Sequence, residues 1–269
     1  MTHLPHLRDV IATHGLDAKK SLGQHFLLDP AITTRIANLA GDLHGRHVVE
    51  VGPGPGGLTR ALLATDAPKI LAVELDRRAI AAIEQLRTLH PDRLDILEAD
   101  ATTLDLAALT QSPRQLVANL PYNIATPLLI AWLRQADQWE RMTLMFQLEV
   151  AERLCAPPAT EHYGRLSVLT QWTCDAYVAL RLPPGAFTPP PKVWSAVVTL
   201  IPKPCQPTPA LFRTMERLTA AAFGQRRKML RGSLKSLGGE PLLVRAAIAP
   251  DRRAETLTPA EFDTLAHLL

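Results

Sequence analysis

The sequence predicts an α/β fold, a doubly wound parallel sheet followed by a small all-helical domain, and three observations predict it. Short apolar runs at His47–Val51, 70–75, Leu94–Glu98, 115–119 and 142–146 alternate with segments of helical spacing, as in βαβ units whose strands are covered on both faces. Prolines crowd the stretch 183–209 and end that alternation. Beyond it, apolar residues recur at helical spacing alone.

Each element follows in chain order. Residues 1–15 mix His and Asp with apolar residues, so neither a signal peptide nor a membrane span is expected, and the protein is placed in the cytoplasm. The first apolar run enters a glycine-rich turn, the second ends at Glu74, the third near Asp100 and the fourth at Asn119. Asp76 reads as the cap of a helix over 77–89. Two later runs, 176–182 and 195–201, lack a full helix between them and are expected to pair antiparallel at the sheet edge. The stretch 205–209 marks a boundary between domains 1–204 and 205–269. After it, 210–237 reads as helix interrupted only by Gly224 and Gly232, and Thr258-Pro-Ala-Glu261 opens a last helix as a capping box.

Composition narrows the partners. Cys155, Cys174 and Cys205 are odd in number and never form a Cys-x-x-Cys pair, so no disulfide framework and no metal site is expected. Ten Lys and Arg face six Asp and Glu after residue 205, against nineteen and twenty before it. The positive charge therefore sits at the C-terminal end, where a polyanion would meet it.

The turn Gly52-Pro-Gly54-Pro-Gly56-Gly57 lets a backbone approach a ligand closely, and its spacing fits a dinucleotide site as well as a methyl-donor site. Glu74 stands about 20 residues on, where a doubly wound fold places a carboxylate on both hydroxyls of a ribose. NAD and S-adenosylmethionine both carry that ribose. Asp100 is positioned to accept from an adenine amino group. Asn119-Leu-Pro121-Tyr122 carries the most information. An adenine amine is a poor nucleophile because its lone pair is delocalised into the ring. Acceptance of its two N–H bonds by the Asn119 side chain and the backbone around Pro121 makes the nitrogen more pyramidal, while Tyr122 offers a face for an extruded base.

Taken with these, Lys19-Lys-Ser-Leu-Gly-Gln-His-Phe-Leu-Leu-Asp29, Glu50-Val-Gly-Pro-Gly, Val73-Glu-Leu-Asp76, Asn119-Leu-Pro-Tyr-Asn-Ile124, Tyr163-Gly-Arg-Leu-Ser167, Phe187-Thr-Pro-Pro-Pro-Lys-Val193 and Phe223-Gly-Gln-Arg-Arg-Lys-Met-Leu230 form an ordered set. Through it the chain resembles the KsgA/RsmA family of small-subunit ribosomal RNA adenine N6,N6-dimethyltransferases. The resemblance implies a Rossmann-like methyltransferase domain with S-adenosyl-L-methionine as cofactor. It also implies that His25 and Leu27, from the N-terminal donor segment 19–29, contact the donor together with Gly52, Gly54, Glu74, Asp100 and Asn119. Phe187 is implied to close on the target base opposite Tyr122. His25, Leu148, Trp194 and Gly232 depart from the family's usual Asn, Lys, Asp and Asn.

Arg227, Arg231 and Lys235 lie four apart and are expected to form a cationic stripe on one helix, suited to an RNA backbone, with Lys19 and Lys20 as lesser candidates. The expected substrate is a pair of adjacent adenosines near the 3′ end of small-subunit ribosomal RNA, within an assembling 30S subunit, and the expected protein state is a monomer. Three alternatives stay open here: a large-subunit dimethyltransferase of the macrolide-resistance type, a non-catalytic assembly or transcription factor, and a nucleotide-dependent dehydrogenase.

Overall fold

The computed structural model describes residues 4–16, 25–225 and 227–269. Nine strands are present among them: β1 Phe26–Leu27, β2 His47–Val51, β3 Lys69–Glu74, β4 Leu94–Glu98, β5 Arg114–Asn119, β6 Arg141–Gln147, β7 Cys174–Leu182, β8 Phe187–Thr188 and β9 Ser195–Pro202. Seven form one sheet in the order β4-β3-β2-β5-β6-β9-β7, and β1 pairs antiparallel with β8. Strands β4, β3, β2, β5 and β6 run parallel, and β9 enters antiparallel beside β6, with Ser195 opposite Gln147. The expected pair β7 and β9 are neighbours at the edge.

Burial follows position in the sheet. Central β2, β5 and β6 are buried almost throughout, because helices cover both faces, whereas the edge strands β4 and β7 expose several residues. Sheet growth reverses between β2 and β5, since β3 and β4 follow on one side and β5 and β6 on the other. A reversal of this kind opens a crevice at the carboxyl ends of the strands.

The chain divides into two compact units. The first comprises Met1–Ala131, Gln138–Ala151 and Val178–Ile201, and holds most of the sheet. The second gathers Trp132–Asp137, Glu152–Tyr177 and Pro202–Leu269. Its helices Arg165–Thr173, Pro209–Phe223 and Pro259–His267 pack together. Trp172 donates its indole N–H to Asp263 at 2.9 Å, and the buried Tyr163 hydroxyl donates to the Leu257 carbonyl at 2.8 Å. The helical unit thus reaches upstream of the expected boundary at residue 205, because these contacts bind 152–177 to it. Thr258 and Glu261 form the capping box read from the sequence.

The expected helix 210–237 is corrected. One helix spans Pro209–Phe223, a turn follows, and a four-residue helix, Leu230–Ser233, leads into a 3-10 turn at Lys235–Leu237. The N–H groups of Leu230 and Arg231 bond the carbonyls of Arg252 and Pro250, at 2.8 and 3.0 Å, instead of the preceding turn of a continuous helix. Tertiary hydrogen bonds override the helical spacing there.

Candidate active site

The site forms where β2 ends and the chain turns at once into the helix Gly57–Leu63. Gly54 has φ +54°, and a β-carbon there would lie 3.1 Å from the Phe26 ring; one on Gly57 would lie 2.6 Å from the Leu27 carbonyl oxygen. Only residues without side chains allow segment 25–27 to lie so close to the turn.

Glu74 closes this turn from the end of β3. Its Oε1 accepts from the backbone N–H groups of Leu75 and Asp76 at 2.8 and 2.9 Å, and its Oε2 from that of Gly54 at 3.3 Å. A carboxylate has about four acceptor directions, so capacity remains on Oε2 for a further donor. At the end of β4, Asp100 Oδ1 accepts from the Thr102 hydroxyl at 2.7 Å and from its N–H at 2.9 Å. These bonds, the side-chain one first, hold the Asp100 carboxyl below the usual carboxylate range.

Asn119 ends β5 and donates Nδ2–H to the carbonyl of His25 at 3.3 Å. Pro121 follows, its carbonyl accepting from Ile124 N–H at 3.2 Å at the start of the helix Tyr122–Leu133. The Tyr122 hydroxyl is 2.6 Å from Ser195 Oγ, and its ring centroid is 5.6 Å from that of His25. His25 Nδ1 lies 2.8 Å from the Pro189 carbonyl, which makes Nδ1 the protonated nitrogen because a carbonyl only accepts. Burial raises the Tyr122 pKa, so the phenol stays neutral at physiological pH.

Two chambers share Gly52, Glu74 and Pro121 as walls. The smaller is also lined by His25, Leu27, Gly54, Asn119 and Tyr122. The larger, about 510 Å³, is lined by Leu75, Asp76, Asp100, Thr102, Asn123 and Ile124 among others. All seven residues expected to hold the donor, together with Pro121 and Tyr122, therefore line these two neighbouring chambers.

Phe187 is not among these lining residues. It is 3% exposed and belongs to the apolar core with Leu27, Leu182 and Val197, because pairing of β8 with β1 places it opposite Leu27. The Tyr122 ring meets that of His25. In the helical unit Arg227, Arg231 and Lys235 are all exposed, but they lie on a turn, a short helix and a 3-10 turn. The single-helix stripe is thus corrected, while the solvent exposure it needed is present. Lys19, Lys20 and the rest of 19–24 lie outside the described residues.

Sequence reasoning missed two features. Ser195 opens an apolar strand and carried no signal until Tyr122 was found beside it. Glu50, read only as part of a motif, is 1% exposed, and both its oxygens lack a hydrogen bond of ordinary geometry. Burial pushes this carboxyl up to about 8, and the nearby Thr59 hydroxyl offsets that only in part. Among the described residues no cluster of His, Cys, Asp and Glu suits a metal ion, and no helix is long and apolar enough to cross a membrane.

A doubly wound sheet with a glycine turn at its switch point and carboxylates on the next two strand ends defines a nucleoside-binding α/β domain, and Asn119-Leu-Pro-Tyr122 places it in the methyltransferase class. The chain belongs to the ribosomal RNA adenine dimethylase family, whose sequence profile it matches over residues 15–269. It is 66% identical over 265 residues to the ribosomal RNA small subunit methyltransferase A of Gluconobacter oxydans, covering 98% of this chain and 88% of that one. Its identity to the protein of that name from Paramagnetospirillum magneticum is 58%, covering 100% of this chain and 96% of that one. Among solved structures, a dimethyladenosine transferase from Plasmodium falciparum superposes with a TM-score of 0.75 at 25% identity, over 90% of this chain and 96% of that one. The 23S rRNA methyltransferase ErmE shares the fold, with a TM-score of 0.68 at 24% identity over 91% and 99% of the two chains.

Proposed function

We propose that the protein transfers methyl groups from S-adenosyl-L-methionine to N6 of two adjacent adenosines near the 3′ end of small-subunit ribosomal RNA. The observation that carries this reading is the orientation of Asn119. Its Nδ2 is committed to the His25 carbonyl, so its Oδ1 is the atom available to accept from an incoming amine.

The crevice suits the donor. Glu74 Oε2 and the Asp100 carboxylate are hydrogen-bond acceptors in or beside the larger chamber, as a ribose and an adenine amino group require, and the glycine turn admits close backbone approach. When bound, the donor supplies an electrophilic methyl on a sulfur that departs with the electron pair of the broken S–C bond. Asn119 Oδ1 and a backbone carbonyl near Pro121 hold the two amine N–H bonds, which directs the nitrogen lone pair away from the ring. Tyr122 supports the base by stacking, with its hydroxyl anchored on Ser195. Alignment supplies most of the rate, and one amine proton leaves to solvent after each transfer.

Arg227, Arg231 and Lys235, on the helical unit, contact RNA phosphates and position the substrate. The protein acts as a cytoplasmic monomer on an assembling 30S subunit, late in ribosome biogenesis. No feature of the crevice favours a large-subunit acceptor, a binding-only role or hydride transfer. The test is to incubate the protein with labelled donor and small subunits from a strain lacking these methyl groups, then map the label. Label on the adjacent adenosines is expected, and no label, or label only elsewhere in the RNA, overturns the reading.

A further inference from the structure

We propose that Trp194 is a second base-stacking platform, which holds an unpaired nucleobase next to the one received at Tyr122. The inference rests on the proposed function and adds a substrate contact that the family resemblance does not supply, since the family usually carries Asp at this position.

Four tryptophans occur in the chain. Trp132 and Trp139 are each 3% exposed and Trp172 is half-buried, whereas Trp194 is 48% exposed. Its backbone is fixed even though its ring meets solvent. The Trp194 carbonyl accepts from Leu148 N–H at 2.8 Å, and the next residue, Ser195, is fully buried and bonded to the Tyr122 hydroxyl at 2.6 Å. Because β9 runs antiparallel to β6, with Ser195 opposite Gln147, this start of β9 lies at the strand ends that carry the crevice. One exposed aromatic at this end of the sheet is thereby tied through a single residue to the aromatic within.

The chemistry around it suits RNA better than an apolar protein surface. Lys192, two residues earlier, is exposed and supplies a cation for a phosphate, and the exposed Val193 adds only a small apolar surface. An exposed aromatic beside a cation is the combination that stacks a base while holding its backbone, and such stacking tolerates any base because every base has a π-face.

The experiment compares wild type, Trp194→Ala and Trp194→Phe. Trp194→Ala is expected to raise the KM for unmethylated small subunits by roughly five- to a hundredfold, the range that loss of one base stack produces. Donor affinity by calorimetry stays at the wild-type value, and Trp194→Phe recovers most of the KM. A short oligoadenylate quenches wild-type tryptophan emission but leaves that of Trp194→Phe unchanged, which reads the contact without turnover. Unchanged KM in Trp194→Ala with unquenched wild-type emission overturns the platform and leaves the proposed function standing. Quenching in a wild type that is inactive on small subunits keeps the platform and overturns the function. A raised KM that phenylalanine does not rescue, with no quenching by RNA alone, means that the ring meets a protein, and this also overturns the platform.

Discussion

The side-chain amide of Asn119 is locked by the main chain of His25, 94 residues away, through an N–H···O bond of 3.3 Å. The bond fixes which end of the amide faces His25, because a carbonyl only accepts and, of the amide's two ends, only the nitrogen donates. Asn119→Ala is therefore expected to lower the single-turnover rate by about a hundred- to a thousandfold, in line with loss of one preorganised polar group at a reacting centre. RNA affinity should hardly change. Rapid-quench turnover and a subunit-binding assay separate the two, and a near-normal rate in the variant refutes the role given to Asn119.

Glu74 joins the end of β3 to the glycine turn, and on the proposed function it serves the donor as well as the loop. Glu74→Ala is expected to weaken donor binding roughly ten- to a hundredfold or more, since hydrogen bonds to a charged group are worth about 1.5–3 kcal/mol. Calorimetry checks this. Glu74→Gln keeps one acceptor oxygen and should fall between the two.

Glu50 gives stability a pH dependence of unusual sign. Its folded pKa, about 8, is raised above its unfolded value near 4.5, so the folded state binds more protons between those limits. Stability from this group is complete below about pH 4.5 and is lost as pH rises towards 8, by an amount on the order of 4–5 kcal/mol across the window. Glu50→Gln mimics the neutral acid and should remove that slope. Thermal unfolding of both proteins from pH 5 to 9 tests it, and parallel melting curves would show that the carboxyl is already ionised.

Neutralising Arg227, Arg231 and Lys235 together should weaken subunit binding and flatten its salt dependence, by about 0.7–0.9 in log–log slope for each phosphate that is no longer neutralised. Donor affinity and circular dichroism should remain unchanged, because exposed substitutions usually shift stability by no more than about 0.5 kcal/mol. A salt titration of both proteins decides the matter. Equal slopes would leave these residues as ordinary solvated charges.

What the sequence revealed and what it concealed follow from the range of the forces involved. The strand positions were legible because burial on both faces writes apolar runs into the local sequence, and Gly52, Glu74, Asp100 and Asn119 were legible because they terminate those runs. The insertion of β9 between β6 and β7 was not, since strand order leaves no local pattern. Helical spacing continued through 224–237 while the fold broke there, because the partners of Leu230 and Arg231 come from residues 250 and 252. Motif resemblance gave Phe187 a role at the base, and no local pattern showed that pairing with Leu27 buries it among core residues. The Tyr122 and Ser195 contact spans 73 residues and had no signal in either neighbourhood.

The two-residue ladder between β1 and β8 ties Leu27, which lines the crevice, to the loop that continues to Trp194. Were the two segments to move as one body, a ligand settling against one would alter the free energy of occupying the other. Such coupling is reciprocal: the factor by which bound donor changes RNA affinity must equal the factor by which bound RNA changes donor affinity. On the proposed function, such coupling would let the state of one substrate govern the residence time of the other through four paired residues.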